Sequence, residues 1–346
     1  MNYKSIFNLL GILLALFSIS FIPPFLITFI YEENGGEIFL YSFLVLFFLG
    51  GGMWALTRQQ DLALNISDGF IITTMFWVVL ACAGSIPFYF FTGLNISEAI
   101  FESVSGITTT GATTIVGLDD MPRSILLYRQ LLQWIGGMGS IVLAVAVMPA
   151  LGIGGGQLYK MELPGSHGNQ KLTPRIAHSA QALWKIYVGL TLACALLYSL
   201  SGMTIFDAVA HSLSTVAGGG FSTHDQSIGF FNSGLVESIC IIFMLLSAAS
   251  FAVHYAAIFG GKPLRYFYDS EFRFFLSVVV LIIVISIMVL SLSNSYTSFY
   301  SAASSAIFQT VSIVTTSGFT TENYSLWPGF LPYLLLVGAF MGACSQ

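Results

Sequence analysis

Apolar residues run through this chain in blocks far longer than a strand or one face of a helix. Near 6–30, 38–57, 69–92, 124–148, 180–200, 232–259, 272–293 and 328–346 the charged positions all but vanish. Each block approaches or exceeds the roughly 20 residues that a helix needs to cross the hydrocarbon of a bilayer. The pattern predicts eight spanning helices. Between some pairs, near 96–114, 204–223 and 298–321, lie shorter stretches rich in Ser, Thr and Gly. Each has room for a helix that crosses about half a membrane and a returning strand. None has room for another full crossing.

Composition supports lipid as the solvent. Of 346 residues, 56% are hydrophobic and 8% charged, against about a quarter charged in a soluble domain. The net charge of −5 says little about partners, because the place of each charge matters more. Nine of the eleven basic residues fall on one side of the eight-helix arrangement: Lys4, Arg58, Lys160, Lys171, Arg175, Lys185, Lys262, Arg265 and Arg273. Only Arg123 and Arg129 fall on the other. This positive-inside bias places the N-terminus and the connections 149–180 and 260–272 in the cytoplasm. The acidic connection from Glu32 to Glu37 and the three short stretches then belong to the outer face. The first block is too long for a signal-peptide core and carries Pro23 and Pro24, so it reads as a retained helix. Cys82, Cys194, Cys240 and Cys344 are far apart in apolar surroundings, which suits free thiols in a core better than a disulfide or a metal site.

The three short stretches repeat one another. With Gly111, Gly220 and Gly318 as origins, a serine stands six residues before each (Ser105, Ser214, Ser312) and a threonine three after (Thr114, Thr223, Thr321). The origins are 109 and 98 residues apart. The segment before each glycine has helical spacing. Ser97 with Glu98, and Thr204 with Asp207, supply plausible N-terminal caps. The C-terminal end of such a helix carries a partial negative charge that favours a cation, and the glycine lets the chain turn back through angles closed to other residues.

Irregular backbone at membrane depth is tolerated where it lines a watery cavity or is buried in protein. The carbonyls of Thr108, Thr109, Thr110 and Gly111, of Ala217, Gly218, Gly219 and Gly220, and of Thr315, Thr316, Ser317 and Gly318 are therefore candidates to replace the hydration shell of a cation. No charged side chain falls in these stretches, which favours a weakly hydrated monovalent cation over a divalent ion or an anion. Glu102 reads as a support of the first loop, or as a charge that raises the cation concentration near it, rather than as a direct ligand of the ion. His211, aligned with Glu102 and Gln309, reads as a packing residue, and His224 as a water-facing residue at the outer mouth. Asp119, Asp120, Asp225 and Glu322 follow the loops and could make a negative vestibule. His254 reads as a satisfied core residue. Gly136, Gly137 and Gly139 suit close helix contact. Gly152, Gly154, Gly155 and Gly156 lack the Gly-Lys-Ser/Thr of a phosphate loop. No catalytic constellation is visible, so an enzyme is not expected.

Ile107-Thr-Thr-Thr-Gly-Ala-Thr113, Gly219-Gly-Phe-Ser-Thr-His-Asp225 and Thr315-Thr-Ser-Gly-Phe-Thr-Thr321 resemble the first three filter segments of the TrkH/KtrB/HKT superfamily of potassium transporters. Gln133-Trp-Ile-Gly-Gly-Met-Gly139, Lys171-Leu-Thr-Pro-Arg-Ile176 and Ala182-Leu-Trp-Lys-Ile-Tyr187 are similar to its bacterial TrkH branch, as is the helix pair before residue 60. The resemblance implies an all-α membrane protein with parallel helix–pore-loop–helix repeats around a central pore. An accessory pair would occupy 1–60, with repeats at 61–150, 151–260 (including a cytoplasmic linker) and 261–346. It implies gated potassium uptake across a bacterial inner membrane, with potassium as substrate, bound at the filter residues, and no cofactor. The alternative is a proton- or sodium-coupled potassium symporter. Implied partners are membrane lipid, a second copy in a homodimer and a cytosolic nucleotide-binding regulatory subunit like TrkA, with no nucleic acid. Gly342, Ala343, Cys344, Ser345 and Gln346 resemble the start of the family's gating loop. The sequence ends there, before a fourth repeat, so a piece of a longer chain is expected.

Overall fold

The structure, a computed structural model, describes residues 2–58, 66–139, 173–261, 264–293 and 295–343. Among the described residues every regular element is a helix. Two compact units meet in sequence at Gln181 and Ala182.

In the first unit, α1 (Tyr3–Ser18) passes through a tight turn into α2 (Ile22–Ile30), and α3 (Glu37–Thr57) returns alongside. The crossing is close because Gly11 and Gly50 face each other. A Cβ on Gly11 would lie 2.7 Å from the Gly50 carbonyl oxygen, and one on Gly50 would lie 2.6 Å from that of Gly11. Small residues let helix backbones approach in this way where lipid supplies no hydrophobic drive for association. Asn8 donates from Nδ2 to the Trp54 carbonyl at 3.2 Å, fixing the register. Then come α4 (Ile66–Thr92), the short α5 (Ile96–Ile107) and α6 (Arg123–Gly137). Tyr128 of α6 is fully buried among the rings of Phe21, Phe39 and Phe88.

The second unit takes up α7 (Thr173–Leu200) at Ala182. It continues through α8 (Ile205–Ala217), α9 (Gly234–Ser247), α10 (Phe251–Ile258) and the single turn α11 (Arg265–Tyr268). Last come α12 (Ser270–Leu292), α13 (Phe299–Val314) and α14 (Leu331–Ala343). Among the described residues five helical stretches are long and apolar enough to cross a membrane: Tyr3–Ile30, Glu37–Thr57, Ser67–Thr92, Gln181–Leu200 and Ser270–Leu292. This is a multi-pass membrane protein.

Of the eight apolar blocks, 232–259 differs from a single span. It breaks between Ser247 and Phe251. His254 bridges the break: its Nε2 lies 2.9 Å from the Leu246 carbonyl, which can only accept, so Nε2 carries the proton. Its Nδ1 then accepts from the Tyr266 hydroxyl at 2.7 Å. The satisfied core residue read from sequence is thus also the clasp of a broken helix. The continuation of the 124–148 block beyond residue 139, the 149–172 connection with Lys160, Lys171 and its glycines, Lys262, and Cys344, Ser345 and Gln346 lie outside the described residues.

Candidate functional site: three glycine loops

The stretches that repeat in sequence form short helices α5, α8 and α13, each running into irregular backbone at its C-terminal end. Their start signals act locally. Asn95, rather than Ser97, caps α5: it accepts from the Glu98 N–H at 2.9 Å, and Glu98 reaches back to the Asn95 N–H at 3.1 Å. Thr204 caps α8, accepting from the Asp207 N–H at 3.1 Å. Ser298 caps α13 through the Ser301 N–H.

Beyond the helices the three backbones follow one course. Gly111, Gly220 and Gly318 have φ of 75°, 75° and 82°, the region that glycine alone enters freely. Two residues earlier the chain is left-handed as well, at Thr109 (55°), Gly218 (67°) and Thr316 (57°). A β-branched residue there is an outlier, and each such residue costs about 1–3 kcal/mol that its surroundings must offset. The offset is visible in the backbone. The N–H groups of Thr109, Gly218 and Thr316 donate three residues back, to Gly106, Thr215 and Ile313, at 3.0, 3.1 and 3.0 Å. The next N–H groups, of Thr110, Gly219 and Ser317, donate five residues back, to Ser105, Ser214 and Ser312, at 2.9, 3.0 and 3.0 Å.

This explains the recurring serine. Its carbonyl receives the loop before the glycine. In the first and third repeats its hydroxyl also donates past the glycine, from Ser105 to the Ala112 carbonyl at 2.5 Å and from Ser312 to that of Phe319 at 2.6 Å. Hydroxyls brace the same two loops sideways: Thr108 and Thr110 lie 2.8 Å apart, and Thr315 and Ser317 lie 3.0 Å apart. Ala217 and Gly219 leave the second loop without these groups.

A second brace comes from the residue nine before each glycine, where the chemistry differs. Glu102 accepts from the Thr113 hydroxyl at 2.8 Å, the Thr114 N–H at 3.1 Å and Arg129 Nε at 2.9 Å. His211 is held as one neutral tautomer. Its Nδ1–H points to the Asp207 carbonyl at 2.9 Å, so its Nε2 accepts from the Ser222 hydroxyl at 2.9 Å. Asp207 accepts from the Thr223 hydroxyl at 2.7 Å. Gln309 donates to Thr321 and to the Glu322 carbonyl, at 3.3 and 3.2 Å. Each brace ties the returning strand to its own short helix.

Within the second unit the two loops touch. A Cβ on Gly220 would lie 1.8 Å from the Ser317 carbonyl oxygen. Beyond them, Gly229 donates to the Thr320 carbonyl at 3.1 Å and the Thr320 N–H to Ser227 at 3.2 Å. The helix after a loop also meets the end of the short helix by backbone alone. A Cβ on Gly136 would lie 1.9 Å from the Ile107 carbonyl oxygen, and one on Gly342 would lie 1.6 Å from that of Val314. Gly342 and Ala343 are thus in the last turn of α14 in the described residues.

The surrounding candidates fall into place unevenly. Arg129 is not a surface charge: it is 1% exposed and paired with Glu102, a relationship that spacing could not signal. His224 is half-buried rather than water-facing, stacked on Phe230 with centroids 3.5 Å apart and with Nε2 3.4 Å from Asp207. Asp119, Asp120 and Asp225 are exposed. Glu322 is instead engaged by the Tyr296 hydroxyl and by Trp327 Nε1. Among the described residues no group of three or more His, Cys, Asp or Glu side chains that could hold a metal ion forms. The left-handed residue before each glycine was the feature missed. Its one trace in the sequence is that Gly218 aligns with Thr109 and Thr316.

Comparison with known proteins identifies the family. Residues 35–346 match the family model TrkH, described as a cation transport protein. The chain is 50% identical over 349 residues to the Trk system potassium uptake protein TrkH of Vibrio parahaemolyticus, covering 100% of this chain and 72% of that one. It is 47% identical over 347 residues to the protein of the same name from Salmonella typhimurium, with the same coverages. The crystal structure of the potassium transporter TrkH from Vibrio parahaemolyticus superposes with a TM-score of 0.87 at 48% identity, covering 98% of this chain and 70% of that one. The chain belongs to the TrkH family of cation transport proteins, which are transporters and not enzymes.

Proposed function

We propose that this protein takes up potassium across a membrane through a pore whose filter is built of peptide carbonyls from the three loops. The observation that carries the proposal is the recurrence of one backbone course, left-handed at Thr109 and Gly111, Gly218 and Gly220, Thr316 and Gly318. A carbonyl ring selects by replacing water around an ion, so its oxygens must be held in place before the ion arrives. Strained threonines fixed by paired N–H bonds suit that demand better than a passive outer loop does. The relatives' name, potassium uptake protein of a Trk system, supports potassium as the ion.

On this reading the accessory pair 1–60 precedes repeats at 61–150, 151–260 and 261–346, arranged in parallel around one pore. Thr108 to Gly111, Ala217 to Gly220 and Thr315 to Gly318 bind the ion, and Gly342 begins a gate. The N-terminus is cytoplasmic in a bacterial inner membrane. The chain pairs with a second copy and with a cytosolic nucleotide-binding regulatory subunit; the relatives' name, a Trk system, supports the presence of further components. The test is rubidium uptake by cells or proteoliposomes carrying the intact protein. Gly318→Asp should abolish the preference for rubidium over sodium while the protein still reaches the membrane. Unchanged preference would remove the filter assignment. A current that reverses at the potassium equilibrium potential, unmoved by pH or sodium, separates the pore from a coupled symporter.

A further inference from the structure

Glu102 and Arg129 are buried to 0% and 1% exposure, and their ion pair sits directly behind the returning strand of the first loop. Both partners hold the same residue. Glu102 accepts from the Thr113 hydroxyl and the Thr114 N–H, and Arg129 Nη2 lies 3.0 Å from the Thr113 oxygen. That strand is otherwise exposed at Ala112, Thr113 and Thr114. The third repeat solves the same problem without charge. Gln309 takes the place of Glu102. Seven residues before the contact glycine, where α6 has Arg129 before Gly136, α14 has the fully buried Leu335 before Gly342.

We infer that the Glu102–Arg129 pair is a specificity-determining positioning device for the first loop: it fixes Thr113 and Thr114 in place and cancels its own charge behind the ion path. This rests on the carbonyl-filter reading proposed above. Two physical consequences follow. Removing one member takes the counter-charge of the pair away from a buried charge, which is costly, whereas replacing both members by a matched neutral pair is often tolerated. The sign of the stray charge also matters to a passing cation, since a guanidinium repels it and a carboxylate attracts it.

The experiment measures rubidium uptake and its competition by sodium for the intact protein, at matched membrane abundance. Glu102→Gln takes the Glu102 carboxylate from Arg129 and weakens the hold on Thr113, and should lower rubidium uptake about tenfold. Adding Arg129→Leu reproduces the arrangement of the third repeat and should restore uptake to within about threefold of the parent, a non-additivity expected only of coupled residues. A pair that served only as scaffolding would lose more with the second change. Should Glu102→Gln fail to reach the membrane, Glu102→Asp keeps the charge but shortens the reach to Thr113, and should weaken discrimination against sodium. The inference is overturned if Glu102→Gln transports like the parent, if the double variant is no better than the single one, or if Glu102→Asp keeps full discrimination. Gly318→Asp measured alongside separates the two claims: an effect there without one at Glu102 removes this inference alone, and no effect at Gly318 removes the filter itself.

Discussion

Gly220 of the second loop and Ser317 of the third meet with no side chain between them: the missing Cβ of Gly220 would overlap the Ser317 carbonyl oxygen at 1.8 Å. At Gly318 a Cβ would meet no atom within 4 Å. Both have positive φ, so the two positions separate steric from conformational cost. Gly318→Ala should add only the left-handed penalty of about 1–2 kcal/mol. Gly220→Ala adds the same penalty and must also move Ser317. Rubidium uptake should therefore fall further for Gly220→Ala than for Gly318→Ala; equal losses would argue against the close approach.

Thr109 and Thr316 are strained where Gly218 is not. Thr109→Gly and Thr316→Gly should leave thermal stability unchanged or raise it by up to about 1 kcal/mol, because relieved strain is countered by the added freedom of the unfolded glycine. Discrimination between rubidium and sodium should weaken at the same time, since the loop becomes softer. Unfolding in detergent together with competition uptake checks both halves, and intact discrimination in both variants would count against strain as part of the filter.

Asn95 stands at the other end of α5 from the loop. Asn95→Ala removes a capping box and should lower stability by about 1 kcal/mol with discrimination unaltered. A change in the rubidium-to-sodium ratio would mean that the whole helix, and not only its last turn, positions the oxygens.

The clasp at His254 makes a separate prediction. Tyr266→Phe removes one neutral hydrogen bond, worth about 0.5–1.5 kcal/mol. His254→Leu also leaves the Leu246 carbonyl without this donor and should cost about 1–3 kcal/mol. Amide exchange should rise first at residues 246–254. Uniform exchange across the second unit would show that the break is not held locally.

How far the chain could be read before its structure depended on the kind of information involved. Long apolar runs are local, and they located α3, α4 and α12 within about three residues. The glycine origins were legible because only glycine answers the conformational demand at Gly111, Gly220 and Gly318. The left-handed turn at Thr109 and Thr316 was not, since a threonine gives no sign of accepting a conformation it disfavours; tertiary bonds impose it. The burial of Arg129 against Glu102 was not legible, because charge bias counts side chains without knowing which are buried. The break at 248–250 was hidden because Ala248 and Ala249 look helical, and the residues that hold it open, His254 and Tyr266, lie beyond it.

The meeting of Gly136 with the Ile107 carbonyl has a mechanical meaning. Side chains cushion most helix contacts, since a rotamer can change before a backbone moves. Here nothing yields, so a tilt of α6 at that point is passed undamped to the peptide that leads into Thr108. The same holds where Gly342 bears on Val314, one residue before Thr315. The last turns of α6 and α14 act as levers whose short arms rest on the loops themselves.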